Sequence, residues 1–222
     1  MANKIKILSV GYSRSDIEDT NCMRANCSST LIQTNNGINI VIDTMTSWDG
    51  ELMQQQLHKH NLQPKDIHYV VCTHGHADHI GCNYLFTNAI YHFVGTCVSN
   101  YDRYLNWNFK ENFQLDGNDV FVLHTPGHTM SCVSVVVCDT NLGDTIGVCG
   151  DLFERKEDIS DDRIWLEAGS EDPKKQMVNR LKMLEMCSYI VPGHGHGFKV
   201  TQEMIVTLKS QLKEKYEIKS EN

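Results

Sequence analysis

Apolar residues along this chain fall in short runs broken by polar and glycine-containing turns, a spacing typical of strands. Residues 5–11, 29–34 and 38–42 read as strands. The last two flank Asn35-Asn36-Gly37, and Asn-Gly between apolar runs favours a tight hairpin. Further strands are predicted at 67–72, 89–94, 120–125, 132–138, 145–149 and 189–191, with 139–144 as a turn. Helical patterning is sparser. Asp49 caps a stretch at 51–60 whose apolar face is Leu52, Gln56 and Leu57, and 77–86 reads as a second helix. Asp172 as N-cap with Pro173 at the first helical position opens a third, with Met177, Leu181 and Leu184 on one face. Residues 201–217 close the chain with the stripe Ile205, Leu208 and Leu212. Residues 97–118 read as irregular, and the acidic stretch to Ser170 is poorly patterned. With no aligned repeat and no linker, 1–222 reads as a single domain of packed sheets with helices outside.

Composition changes this picture little. The 222 residues are 41% hydrophobic and 22% charged, ordinary for a globular chain. No segment has signal-peptide or membrane-spanning character, which predicts a cytosolic or nuclear protein that does not engage membranes. Nine cysteines without metal-ligand spacing, most inside apolar runs, predict reduced and mostly buried thiols; Cys22 and Cys27 are close enough in sequence to oxidise, but read first as two unrelated thiols. A net charge of −8 argues against a broad grip on nucleic acid or anionic lipid, although a local basic groove remains compatible with it.

The candidate chemistry is concentrated at Thr73-His74-Gly75-His76-Ala77-Asp78-His79-Ile80-Gly81, on the loop leaving the predicted strand 67–72. His74 and His76 are placed to converge on one ion, and Asp78 with His79 on a neighbour. Imidazole and carboxylate suit zinc, iron or manganese. Each ion needs further ligands, and three more candidates follow predicted strands beside a glycine: His128, Asp151 and His194.

This set, H-x-H-x-D-H followed by His128, Asp151 and His194, resembles the metallo-β-lactamase superfamily in its dinuclear hydrolase branch. The resemblance implies a four-layer αββα sandwich of α+β class with two divalent metals, zinc first, at one edge between the sheets. His74, His76 and His128 would bind the first ion, and Asp78, His79 and His194 the second. Asp151 would bridge them, and Asp43 would orient a ligand. Gly150-Asp151-Leu152-Phe153-Glu154-Arg155, Trp165, Ser170-Glu171-Asp172-Pro173 and Val191-Pro192-Gly193-His194-Gly195 are similar to a narrower group described as endoribonucleases of histone pre-mRNA 3′ ends. His196 stands where that group is expected to have proline.

The implied reaction is attack by a shared hydroxide on phosphorus or a carbonyl carbon, with Asp78 steering its proton. His196, or a metal-bound water, would protonate the leaving group. RNA is the leading substrate. A thioester or lactone of the glyoxalase II kind is the alternative, a non-catalytic metal-binding module the third, and β-lactam hydrolysis a side activity only. Residues 101–110 mix aromatics with cations and suit three roles: stacking a base, packing over the sandwich edge, or filling a homodimer interface.

Overall fold

A computed structural model describes residues 2–217. Its first part comprises β1 (Lys4–Ser9), β2 (Tyr12–Ser15), β3 (Met23–Asn26), β4 (Ser29–Gln33), β5 (Asn39–Ile42), α1 (Gly50–His58), β6 (Tyr69–Cys72), α2 (Ala77–Ile80), β7 (Tyr91–Val94), β8 (Cys97–Asn100) and β9 (Arg103–Leu105). The remainder comprises β10 (Phe113–Gln114), β11 (Val120–His124), β12 (Val133–Cys138), β13 (Thr145–Gly150), α3 (Arg163–Glu167), α4 (Pro173–Met186), β14 (Tyr189–Pro192), β15 (Phe198–Lys199) and α5 (Gln202–Leu212). One sheet has the order β1-β4-β5-β6-β7-β8-β9 and the other β10-β11-β12-β13-β14-β15, while β2 and β3 form a separate hairpin.

Alternation along the strands generates the layers, because successive side chains leave a strand on opposite faces. Ile40, Ile42, Val71 and Phe93 of the first sheet meet Val133, Val135, Val137 and Val148 of the second in one shared core. Val41, Val70 and Cys72 point the other way and pack beneath α1 with Met53 and Leu57. Val136, Cys149 and Ile190 likewise face α4 and α5 through Met177, Leu184 and Leu208. Two sheets face to face, each covered by helices outside, make the αββα sandwich.

Several expectations shift. The buried face of α1 is Met53 and Leu57, not Leu52 and Gln56, both of which lie outside it. The helix predicted over 77–86 stops at Ile80. At Gly81 the chain runs against the backbone of Thr46 and Ser47 too closely for any side chain, and a short 3-10 turn at Asn83–Leu85 follows. Residues 97–118, read as irregular, contain β8, β9 and β10. Residues 152–170 hold the 3-10 turn Lys156–Ile159 and α3. Helix α5 gives way to a π-type turn at Lys213–Glu217, and only residue 217 of the predicted 201–217 span lies at the limit of the described residues. The hairpin at Asn35-Asn36-Gly37 is present, with Gly37 at φ 89°, as are the Asp172 cap and Pro173 start of α4. Six cysteines are buried and all nine are unpaired, Cys22 and Cys27 among them. No helix among the described residues is long and apolar enough to cross a membrane.

Strand directions bring the loops of interest to one edge. β5 and β6 run parallel, so Asp43 and the loop after Cys72 leave the sheet side by side. β13 and β14 are also parallel, and β11 is two antiparallel steps from β13, so residues 128, 151 and 194 follow strands that end at the same edge. The two sheets are tied there by a hydrogen bond from the Val133 N–H to the Thr73 carbonyl, 2.9 Å.

Beneath the second sheet, the fully buried Arg180 of α4 fixes the loop after β13. Its guanidinium reaches the Asp158 carboxylate at 2.6 and 3.0 Å, donates to the Leu152 and Asp158 carbonyls, and lies 4.4 Å from the Phe153 ring centroid. Removing one member of such a pair strands the other charge in a low-dielectric interior. Arg180→Ala is therefore expected to cost about 3–5 kcal/mol, read from the denaturant midpoint; a loss below about 1 kcal/mol would contradict this account.

Candidate metal centre

Backbone geometry at the strand ends aims the polar side chains. Gly150 closes β13 with φ 53°, and a side chain there would strike Thr73 Oγ1. Gly193 passes so close to the Asp151 carboxylate that any Cβ would collide with it. These two contacts let the Asp151 and His194 loops cross at the sheet edge.

The seven side chains singled out as ligands all reach this edge. His74, His76, His128 and Asp151 present donor atoms within 4.8 Å of one another, as do Asp78, His79 and His194. Asp151 lies between the groups: its Oδ2 is 3.5 Å from His74 Nε2, 3.5 Å from His128 Nε2 and 3.2 Å from His194 Nε2, while Oδ1 is 3.2 Å from His79 Nε2. Asp78 Oδ2 lies 3.8 Å from both His79 Nε2 and His194 Nε2. His74, His79, His128 and His194 are buried, whereas His76 is exposed and opens the cluster to solvent.

The far side of each buried ring is held by an acceptor. His79 Nδ1 lies 3.0 Å from Asp43 Oδ2, His128 Nδ1 2.7 Å from the Gly169 carbonyl, and His194 Nδ1 3.0 Å from the Asn26 carbonyl. His74 Nδ1 is 3.2 Å from Thr73 Oγ1. An acceptor at Nδ1 places a proton there and leaves the Nε2 lone pair facing inward, the arrangement that prepares imidazole to bind a metal. Asp43 is itself anchored, accepting from the Thr73 N–H at 2.7 Å, and its φ of 56° turns its side chain back under the loop.

Charge in the cluster is unevenly shared. Burial pushes His74 well below the usual imidazole range, with His79 acting in the same direction, and burial also lowers His128. Burial opposes a charge on His79 and His194, yet Asp151 outweighs it at both, aided by Asp43 at His79; His194 rises to about 9. Asp151, although buried, is held well below the carboxylate range by His79, His74 and His194.

Four buried atoms of the cluster lack a hydrogen-bond partner among the described residues: His74 Nε2, Asp78 Oδ2, His79 Nε2 and Asp151 Oδ1. Each such atom costs about 1–3 kcal/mol when left unsatisfied. Cations between them would satisfy all four, and imidazole with carboxylate is a donor set for zinc, iron or manganese. The residues present therefore fit divalent metal.

Other expectations fare differently. His196 is exposed and lies outside the cluster. Trp107 meets Phe113 edge-on and Phe109 packs against the inter-sheet core, whereas Tyr101 and Tyr104 are exposed. Glu154 was not singled out as a site residue. It is 2% exposed and groups with Asp151 and His194, and burial, with Asp151 beside it, raises its carboxyl to about 8. In the sequence Glu154 stands inside the Gly150–Arg155 match but without metal-ligand spacing, in a stretch that lacks periodicity.

Comparison with known proteins decides the family. The model of the metallo-beta-lactamase superfamily matches residues 23–194. This chain belongs to the metallo-β-lactamase superfamily. It is 34% identical over 206 residues to metallo-beta-lactamase domain-containing protein 1 of Xenopus laevis, covering 89% of this chain and 82% of that protein. It is 39% identical over 166 residues to the protein of the same name from Homo sapiens, covering 74% of this chain but 60% of the relative. AiiA of B. thuringiensis, solved with N-decanoyl-L-homoserine bound at the active site, superposes with a TM-score of 0.60 at 18% identity, covering 88% of this chain and 94% of that one. A dizinc quorum-quenching lactonase, AidC, gives 0.57 at 17% identity, covering 78% and 73%. At these identities the two lactonases share the fold. Superfamily members are metal-dependent hydrolases, and the His/Asp cluster is of the kind that binds divalent ions.

The Asp43–His79 contact yields a direct test. Asn at position 43 keeps an oxygen for the Thr73 N–H but can present an N–H donor to His79 Nδ1, which disfavours the required tautomer. Asp43→Asn should lower metal affinity about 10–100-fold, measured by competition with a zinc-responsive chelator. Unchanged affinity would contradict the orienting role.

Proposed function

We propose that this chain is a dinuclear metal-dependent hydrolase that cleaves RNA phosphodiesters. The observation that carries the hydrolase reading is the placement of Asp151 between two groups of inward-facing imidazoles, 3.2–3.5 Å from four of them. The RNA assignment rests on the likeness of Gly150-Asp151-Leu152-Phe153-Glu154-Arg155 and the loops around it to the endoribonuclease group.

Two divalent ions, when bound, supply an acidified water at neutral pH and charge to stabilise the attacked and leaving oxygens. The protein does the rest. The acceptors behind His79, His128 and His194 hold the ligands in place, so no reorganisation is needed when substrate arrives. Asp78 is the partly exposed carboxylate of the cluster and is positioned to accept a proton from the attacking water. Substrate enters at exposed His76. Trp48, 92% exposed, projects from the loop packed against Gly81 at the end of α2 and offers a face on which a base can stack. A free aromatic of this kind can stack a nucleic-acid base, which supports the RNA reading. His196, exposed two residues beyond His194, is the candidate proton donor to the leaving oxygen.

A lactone or thioester is the second reading. The β2–β3 hairpin favours it: it ends at Asn26, whose carbonyl holds His194, and it exposes Ile17 and Met23, suitable for an acyl chain.

The test is parallel assay of the purified protein on single-stranded RNA, a glutathione thioester and an acyl-homoserine lactone. Metal-dependent RNA cleavage is expected, lost on chelation and reduced at least ~100-fold in Asp151→Ala, where both groups lose their shared ligand. Turnover of the lactone or thioester with RNA left intact would replace the proposal, and full metal content and unchanged turnover in Asp151→Ala would end it. A pH–rate profile unchanged in His196→Gln would remove His196 from the reaction.

A further inference from the structure

Glu154 has no role in the arrangement of seven ligands, yet it is built into the site. We propose that the second ion has two alternative seats sharing His194, and that the inner seat, formed by Asp151, Glu154 and His194, selects manganese over zinc. This inference rests on the dinuclear reading above.

The distances define the seats. His194 Nε2 lies 3.8 Å from Asp78 Oδ2, 3.2 Å from Asp151 Oδ2 and 4.0 Å from Glu154 Oε2. Two donors each about 2.1 Å from a common ion can be at most about 4.2 Å apart, so every one of these pairs can share a cation. Asp78, His79 and His194 form one group of neighbouring donors, and Asp151, Glu154 and His194 form another. His194 Nδ1 faces the Asn26 carbonyl, which leaves one lone pair, at Nε2, for one ion at a time. The two seats therefore exclude one another.

The surroundings of Glu154 favour the inner seat. Among the described residues, the one basic side chain within 4.0 Å of its carboxyl is His194. Arg180, the nearby guanidinium, is engaged by Asp158. Asp151 is buried and belongs to the same group, with its Oδ2 3.2 Å from His194 Nε2. Two carboxylates this close in a dry interior repel when both are ionised, and either a proton on one of them or a cation between them relieves it. The segment is also held in place, since the Glu154 N–H donates to Asp158 Oδ2 at 2.7 Å and the Glu154 carbonyl accepts from the His194 N–H at 2.8 Å.

Selectivity follows from the donors. The outer seat offers two imidazoles and one carboxylate, a set that zinc accepts readily. The inner seat offers one imidazole and two carboxylates, and oxygen-rich sites suit manganese.

The experiment loads the purified full chain with manganese alone and with zinc alone, and follows stoichiometry by elemental analysis and affinity by competition titration. Glu154→Gln should weaken one of two manganese sites about 10–100-fold while zinc at both sites changes by no more than about threefold. Glu154→Asp, which keeps the charge but retracts it by one methylene, should give an intermediate loss. The ratio of manganese to zinc affinity within one preparation is independent of how much of a variant folds. Equal changes for both metals, or none, would overturn the inner seat. Wild-type protein that holds a single ion of either metal would instead overturn the dinuclear reading, and this inference with it.

Discussion

Five imidazoles and two carboxylates meet at one edge of this molecule, most of them out of water. That arrangement is the constraint on which the rest of the structure depends. Inward-facing lone pairs repel one another and have lost their water, and protonating them relieves only some of the strain, as the opposed shifts of His74 and His79 show. Divalent cations would resolve it throughout. The four unpartnered atoms, the acceptors behind the rings and the central position of Asp151 are then parts of one design, a cluster of donors arranged for positive charge.

The sandwich holds that cluster in place. Parallel neighbours β5 and β6 in one sheet, and β13 and β14 in the other, deliver loops from both sheets to the same edge. Packed cores on both faces of each sheet fix strand register, because a one-residue slip would exchange the inter-sheet core for the helix-covered face. Close backbone approaches at Gly81, Gly150 and Gly193 then set where the loops turn. A rigid scaffold with chemistry on its connecting loops is the usual division of labour in hydrolases.

Much of this was legible in the sequence where a residue's local chemistry dictates its structure. Asn36-Gly37 announced a hairpin and Asp172-Pro173 a helix start, because both act within a few residues of themselves. The histidine-rich loop was legible because donor spacing survives in sequence. What was missed depends on distant partners. Helix 77–86 ends early because Gly81 meets the Thr46–Ser47 backbone, some thirty-five residues away, a contact no periodicity contains. The β2–β3 hairpin and β8 to β10 are short and largely polar, so they lack the alternation that marks a buried strand. Glu154, although inside the Gly150–Arg155 match, has no ligand spacing in sequence; folding places it against His194, on a segment anchored by Arg180 of α4. The resemblance implied that Asp43 would orient a ligand without saying which; the structure puts its carboxylate 3.0 Å from His79 Nδ1.

The central claim is that two cations sit across Asp151. X-ray absorption at the metal edge, on protein loaded with two equivalents of zinc, tests it most directly. The account predicts a metal–metal scattering contribution at about 3.5–4 Å beyond a nitrogen and oxygen shell containing imidazole. A spectrum fitted by imidazole and oxygen ligands alone, with no metal neighbour, would contradict it.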